Sequence, residues 1–310
     1  MHNDIAVKVR KPAYHEKKDW KLFWMALPFA AFIVAFYYAQ LFGWLYAFTD
    51  YKPSKDVFHQ TYVGLKYLKK LFEVRSRFPV AFRNTLIYGF LNIIASPIAL
   101  IFAVLLNEIS NSRIKRTIQT MTSFPNFISW ILVYAIAFMF FSSEGQINNL
   151  LVKVGIMSNT RNLLSNANAT YIFQLVLGIW KSTGWSAIIY LSAIAGIDQE
   201  LYDAADADGA NRFQKMLHIT VVGLQPTFFT LLILSIGGIM NAGFEQFYVF
   251  YNPMVSEQIE VIATYAYRIG IGSGEIPFGT AIGMTQSLIS IVLLLLVNRL
   301  AHAVSGSSII

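Results

Sequence analysis

Residues Gly196–Pro226 read GIDQELYDAADADGANRFQKMLHITVVGLQP. Five carboxylates, on Asp198, Glu200, Asp203, Asp206 and Asp208, crowd the first half, and long apolar runs flank the stretch on both sides. Asp198 stands where a helix N-cap belongs. After it, Glu200, Leu201, Asp203, Ala204, Ala205 and Ala207 suit a short helix with acidic residues near its positive end. Asp208-Gly209 supplies the stop, because glycine adopts the positive φ that ends a helix without a Cβ penalty. A second helix is expected from about Asn211 into the next apolar run. The flanking runs are Tyr171–Ile197, interrupted only by Lys181, and the uncharged Ile219–Phe244. Each exceeds the roughly 20 residues that cross a bilayer core. The stretch therefore reads as a polar helix-turn-helix joining two membrane spans.

Four further runs have the same character: Leu22–Phe48, Asn84–Asn107 with Pro97, Thr117–Ser143 with Pro125 near its start, and Ile276–Asn298. Glycine and proline are tolerated inside such spans where neighbouring helices satisfy the freed backbone groups. The composition agrees. Hydrophobic residues make up 55% of the 310 and charged residues 13%, about half the charged share of a soluble domain. The fold class is thus an all-α integral membrane protein with six transmembrane helices. The basic start (Lys8, Arg10, Lys11, Lys17, Lys18, Lys21) resembles a signal peptide, but the run after it is far longer than a signal core. It reads as an uncleaved first span.

The chain divides into a basic tail (1–21), a first span with an outer loop (22–81), a five-span core (82–300) carrying the polar loop 197–218, and a C-terminal tail (301–310). In the outer loop Leu65, Leu68, Leu71 and Phe72 recur at helical spacing between lysines, which predicts a short amphipathic helix against the membrane surface or against the protein itself. Six spans put both termini on one side. The positive-inside rule does not choose that side, since twelve basic residues fall on the side of the termini and eleven opposite. The dense N-terminal tail favours cytoplasmic termini.

Chemistry of the catalytic kind is absent from the pattern. There is no cysteine, no phosphate loop of the G-x-x-x-x-G-K-[ST] type, no H-E-x-x-H and no G-x-S-x-G, and the five histidines are scattered. No catalytic or metal-binding residue is assigned. Glu245 is the one acidic residue read as close to a span interior. The net charge of +7 points to anionic lipid headgroups rather than nucleic acid.

Spacing alone leaves the polar loop open to being an ordinary linker. Its residues, however, resemble the E-A-A-x-x-x-G loop of ABC importer permeases, through Asp203 in place of Glu, Ala204, Ala205, Gly209 and Ile219. Further similar strings are Leu105-Leu106-Asn107-Glu108, Phe124-Pro125-Asn126-Phe127-Ile128-Ser129-Trp130, Trp180-Lys181-x-x-Gly184-Trp185, Asn241-Ala242-Gly243-Phe244-Glu245-Gln246, Tyr251-Asn252-Pro253 and Thr264-Tyr265-x-Tyr267-Arg268. Together they resemble the carbohydrate branch of the binding-protein-dependent family, the complex polysaccharide and oligosaccharide permeases related to the first maltose permease. One departure is Val221-Val222 where the family has Leu-Pro, which leaves Pro226 as the nearest proline and implies a straighter run into the fifth span.

The resemblance implies a type I importer (MetI-like) core in the bacterial inner membrane. It implies a second, non-identical permease subunit, a dimer of cytoplasmic ATPase subunits that bind ATP and Mg in place of this chain, an extracytoplasmic solute-binding protein, and an oligosaccharide substrate. Asp198, Glu200, Leu201, Asp203, Ala204, Ala205, Asp208, Gly209 and Arg212 then form the ATPase-coupling loop. The substrate path is sought among polar and aromatic residues of the spans: Asn126, Trp130, Lys181, Trp185, Asn241, Glu245, Gln246, Thr285 and Gln286. Lysine at mid-span costs about 2.5–3.5 kcal/mol. Lys181 is therefore expected to face a wet cavity, where it suits an acidic sugar, to pair with a carboxylate, or to snorkel to the surface. The competing reading, an ion-coupled secondary transporter of sugars, needs carboxylates within the spans and leaves the acidic loop without a role.

Overall fold

The computed structural model describes residues 20–155, 162–241 and 243–305. The basic tail up to residue 19, Arg161, Ala242 and residues 306–310 of the C-terminal tail lie outside the described residues. Among the described residues, six segments are long and apolar enough to cross a membrane: Phe23–Phe48, Phe78–Asn107, Trp130–Leu150, Thr170–Ile194, Arg212–Gly237 and Ile276–Arg299.

The chain forms two compact units that divide between Leu45 and Tyr46. The first holds α1 (Trp20–Ile33), a π turn (Val34–Tyr38) and the start of a 3-10 segment (Ala39–Phe48). Every residue from Phe23 to Phe42 is exposed, as an apolar helix must be when lipid is its solvent. The second unit begins with a two-strand ladder, β1 (Thr49–Asp50) antiparallel to β2 (Thr61–Tyr62), with Thr49 opposite Tyr62. The outer loop expected to go with the first span thus packs with the rest of the chain. Its predicted helix is α2 (Lys66–Lys70). Leu71 is buried and Tyr67 and Leu68 pack beside it, while Leu65 and Phe72 face outward. Tyr67 donates to Asp50 Oδ1 at 3.2 Å. Burial first, and then that carboxylate, hold the phenol above its ordinary pKa.

The remaining elements are α3 (Phe78–Asn107), α4 (Ser112–Ser123), α5 (Trp130–Phe141), α6 (Gln146–Lys153), α7 (Thr170–Ile194), α8 (Gln199–Ala207), α9 (Arg212–Lys215), α10 (Val221–Gly237), α11 (Phe244–Val249), α12 (Ser256–Ile259), α13 (Ile262–Tyr267) and α14 (Ile276–Ser305). Three apolar clusters hold the unit together. Ala99, Ala103, Val104, Ala187, Tyr190, Ile194 and Leu224 join α3, α7 and α10 at the end that carries the polar loop. At the opposite end, Phe78, Ala81, Ile262, Phe278 and Ile282 join α3, α13 and α14, and Tyr88, Val133, Phe247 and Ile259 join α3, α5, α11 and α12.

Two spans differ from the expectation. Thr117–Ser143 is not one helix. Helix α4 ends at Ser123, a 3-10 turn covers Phe124–Phe127, Ile128 and Ser129 are extended, and α5 restarts with the Ser129 hydroxyl accepting from Leu132 N–H. Pro125 has no N–H to donate and its ring opposes the carbonyl one turn back, so the helix stops there. The fifth span ends at Gly237 instead of Phe244, and Asn241 lies in the irregular stretch before α11. Its approach is continuous but not regular. Helix α9 passes through a π turn (Met216–Thr220) into α10, with Val221-Val222 helical and Pro226 inside the helix.

Candidate functional site

The polar loop folds as its residues direct. Asp198 caps α8, its carboxylate accepting from Glu200 N–H at 3.0 Å. At the other end Gly209 has φ +75°. Gly209 N–H donates to Asp206 O (3.1 Å) and Ala210 N–H to Ala205 O (2.9 Å), the paired bonds of a Schellman stop. Asn211 and Gln214 then form a capping box that starts α9. The result is a rigid hook. Asp203, Ala204 and Leu201 are exposed on it, and a Cβ added at Gly209 would meet no atom within 4 Å.

Three pairs brace the hook, one across its own turn and two to the bundle. Lys215 pairs with Asp206 (2.6 Å), the Tyr202 hydroxyl meets Thr220 Oγ1 (2.9 Å), and Arg212 pairs with Glu108 at the end of α3. Of these, only Arg212 is expected in the site from the sequence. Glu108 stands in the string Leu105-Leu106-Asn107-Glu108 without a role, and no spacing links it to a residue 104 positions away.

A cleft of about 590 Å³ opens between α3, α7 and α10; Asn92, Ser96, Ser182, Thr183, Ser186 and Ser235 line it together with Trp130, Gln246 and a larger share of apolar side chains. Ser96 Oγ is buried there without a hydrogen-bond partner among the described residues. Of the nine residues expected on a substrate path, Trp130 and Gln246 line this cleft. Gln246 also donates to Gln174 Oε1 and O, both at 2.9 Å, tying α11 to α7. Gln286 donates to Met240 O (2.7 Å), tying α14 to the turn after α10. Thr285 donates to Ala281 O one turn back in its own helix. Asn241 and Glu245 are exposed, Glu245 in the first turn of α11.

Asn126, Trp130, Lys181 and Trp185 gather at the break in the third span. Lys181 is partly exposed and lies within electrostatic reach of Glu245 without an ion pair to it. Its ammonium donates to three carbonyl oxygens of the break: Pro125 (3.1 Å), Asn126 (2.8 Å) and Ile128 (2.6 Å). It also lies 5.5 Å from the Trp130 ring centre. One turn on, Gly184 lets α7 touch the α4 terminus, since a Cβ there would sit 2.1 Å from Thr122 O. Trp185, half-exposed, meets Phe127 edge-on at 5.6 Å.

At the opposite end sits a network that sequence reasoning missed. Glu260 is buried (1% exposed) between Arg268 and Arg77, whose Nε lies 3.1 Å from Glu260 Oε2. Asn84, also buried, donates to Glu257 O and Glu260 O (3.0 Å each) and accepts from the Tyr171 hydroxyl (2.7 Å). Tyr88 donates to Gln258 O, and Thr85 accepts from Ile262 N–H. Among the described residues Glu260 is the buried carboxylate, while Glu245 is exposed at the start of α11. Arg77 and Arg268 are visible in the sequence only as charges of the outer side.

Among the described residues, six candidate spans, a capped polar hook between the fourth and fifth, and a cleft lined in part by hydroxyl groups suit a membrane permease. Residues 95–306 match the family described as "Binding-protein-dependent transport system inner membrane component", and the chain belongs to that family. It is similar to Protein LplB of Bacillus subtilis (strain 168), 37% identical over 92% of this chain and 89% of the relative. It is also similar to the polygalacturonan/rhamnogalacturonan transport system permease protein YteP of the same organism, 36% identical over 90% and 87%. Among solved structures, a chain of a bacterial alginate ABC transporter in complex with alginate pentasaccharide-bound periplasmic protein superposes with a TM-score of 0.84 at 29% identity, covering 94% of this chain and 98% of that one. The chain is thus a multi-pass inner-membrane permease subunit of a binding-protein-dependent ABC importer. It catalyses no reaction itself, and ATP is bound by the ATPase partners of such a system.

Proposed function

We propose that this permease forms half of the translocation path of an oligosaccharide importer, paired with a non-identical second permease and served by an extracytoplasmic solute-binding protein. In this reading α8 is the element that seats in the ATPase, so the hook is cytoplasmic, and with it both termini. The exposed, doubly capped hook carries the argument. A nine-residue helix with five carboxylates on or beside it, its outer face exposed, has small residues, Ala204 and Ala205, that permit close approach. Its acidic surface suits a basic groove rim, which governs specificity and on-rate more than affinity. When the ATPase dimer closes, α8 moves, and its fasteners to Glu108 and Thr220 carry the motion into the second and fifth spans. The cleft beside Trp130 is the proposed sugar route: aromatic faces with hydroxyl and amide groups around them match the two surfaces of a pyranose. The named relatives, a polygalacturonan/rhamnogalacturonan permease and an alginate transporter, support a glycan cargo.

The natural chain has no cysteine, so Ala204→Cys introduces a unique thiol. In membranes of cells expressing the whole transporter, it should cross-link to the ATPase subunit, and uptake should be measured across neutral and acidic oligosaccharides. Absence of any ATPase adduct from Ala204→Cys, while the transporter remains active, overturns the docking assignment.

A further inference from the structure

We infer that Lys181 is a positioning residue. Its ammonium clamps the break in the third span to the fourth and so holds Trp130 on the wall of the cleft. The relevance to transport rests on the cleft being the sugar route, as proposed above; the clamp itself does not.

The break, just before the third membrane-crossing segment begins at Trp130, leaves backbone carbonyls without helical partners, and such groups need donors from elsewhere in the protein. Lys181 supplies the need. An ammonium has three N–H donors and no acceptor, and here the three bonds to Pro125, Asn126 and Ile128 use all of them. The charge is met by carbonyl dipoles, by the field of the nearby Glu245 carboxylate and by the ring of Trp130, 5.5 Å from Nζ. Glu245 makes no ion pair with it among the described residues. Gly184, one turn further along α7, removes the side chain that would otherwise hold α4 away. A lysine engaged in this way already directs its three donors at main-chain oxygens. Trp130, the first residue of α5, is fixed by the same bonds, because Ile128 immediately precedes its N-cap.

Ser123 is the reporter. Its Oγ is buried at the end of α4 with no hydrogen-bond partner among the described residues, so Ser123→Cys is nearly isosteric and gives this permease one thiol. In the assembled transporter in membranes, N-ethylmaleimide should label Ser123→Cys slowly. Adding Lys181→Met should raise that rate at least tenfold, and Lys181→Arg should return it to within about threefold of the parent. Trp130→Leu should leave labelling slow, since the carbonyl bonds remain. Equal labelling with Lys181 and with Met overturns the clamp. If Lys181→Met fails to accumulate, Lys181→Gln, neutral and with two donors, is read in the same way; parental labelling in it also overturns the clamp. In uptake of tri-galacturonic acid against arabinotriose, Lys181→Met should reduce whichever is carried without changing their ratio. Selective loss of the acidic sugar with slow labelling assigns Lys181 to the ligand and overturns the inference. Fast labelling with uptake unchanged keeps the clamp and removes the cleft from the sugar route.

Discussion

Gly209 offers the sharpest separation between what the hook needs for itself and what a partner needs from it. Its φ of +75° is a left-handed conformation, and holding a non-glycine residue there costs roughly 1–2 kcal/mol. The space around it is open, with no atom within 4 Å of the point where a Cβ would stand. Alanine and tryptophan at 209 therefore incur similar backbone strain, because the Cβ of either stands in open space. A strain of 1–2 kcal/mol reduces the properly turned hook by a factor of about 5–30 relative to its alternatives. In the isolated permease both variants should insert normally and unfold within about a degree of one another. In the assembled transporter they must diverge, since the open space is where the ATPase is proposed to lie. Gly209→Ala should reduce coupled uptake severalfold, Gly209→Asn less because Asn tolerates the left-handed region, and Gly209→Trp should abolish it while basal ATP hydrolysis continues. The assay is uptake per ATP hydrolysed in proteoliposomes with the binding protein present. Equal uptake by the Ala and Trp variants would show that nothing approaches Gly209, and would refute the docking geometry.

Other perturbations follow from contacts at fixed distances. Gly184→Ala places a Cβ 2.1 Å from the Thr122 carbonyl, a backbone atom that cannot rotate away. A cost of about 1–3 kcal/mol is expected from overpacking, read as a lower unfolding temperature of the purified protein, with Gly196→Ala, whose nearest contact is 3.5 Å, as the unaffected control. Glu260→Gln should cost about 2 kcal/mol, the scale of charge-assisted hydrogen bonds, and no more, since Arg77 and Arg268 are each about a third exposed and keep access to water; thermal unfolding checks it. The Arg212–Glu108 pair is largely exposed on the arginine side, so Arg212→Glu should change stability by less than about 1 kcal/mol. It should nevertheless weaken coupled uptake, and the double exchange Arg212→Glu with Glu108→Arg should restore it.

The spans and the hook are legible in the sequence because each is a local property. Transfer of an apolar run into lipid depends on length and composition, and Asp198, Gly209 and Asn211 act on backbone groups within three or four residues of themselves. The break at Pro125 is hidden for the same reason. Thr117–Ser143 is uncharged throughout, and hydropathy measures transfer, not continuity of the helix. Lys181 stands out as costly, but its partners are main-chain oxygens 53–56 positions away, and a carbonyl carries no residue identity to search for. Glu260 escapes on distance as well. Arg268 lies eight residues on, two turns if the chain were one helix, yet the carboxylate is buried because Asn84, Arg77 and Tyr88 from α3 and its N-cap close over it. The gap between Gly237 and α11 is masked because apolar residues continue through Ile239 and Met240 although the helix does not.

Helix α3 is 30 residues long, which at 1.5 Å per residue is about 45 Å, half again the thickness of the hydrocarbon layer. It is also gripped near both ends. Asn84, Thr85 and Tyr88 hold the segment 257–262, and Glu108 holds Arg212 of the hook. A rod fixed at two such points behaves as a strut: a shove at one tip arrives at the other, unless the shaft yields between them. Pro97, the only proline inside α3 beyond its first turn, is where it would yield. The compliance of that single residue sets how much of the stroke is delivered and how much is lost as bending.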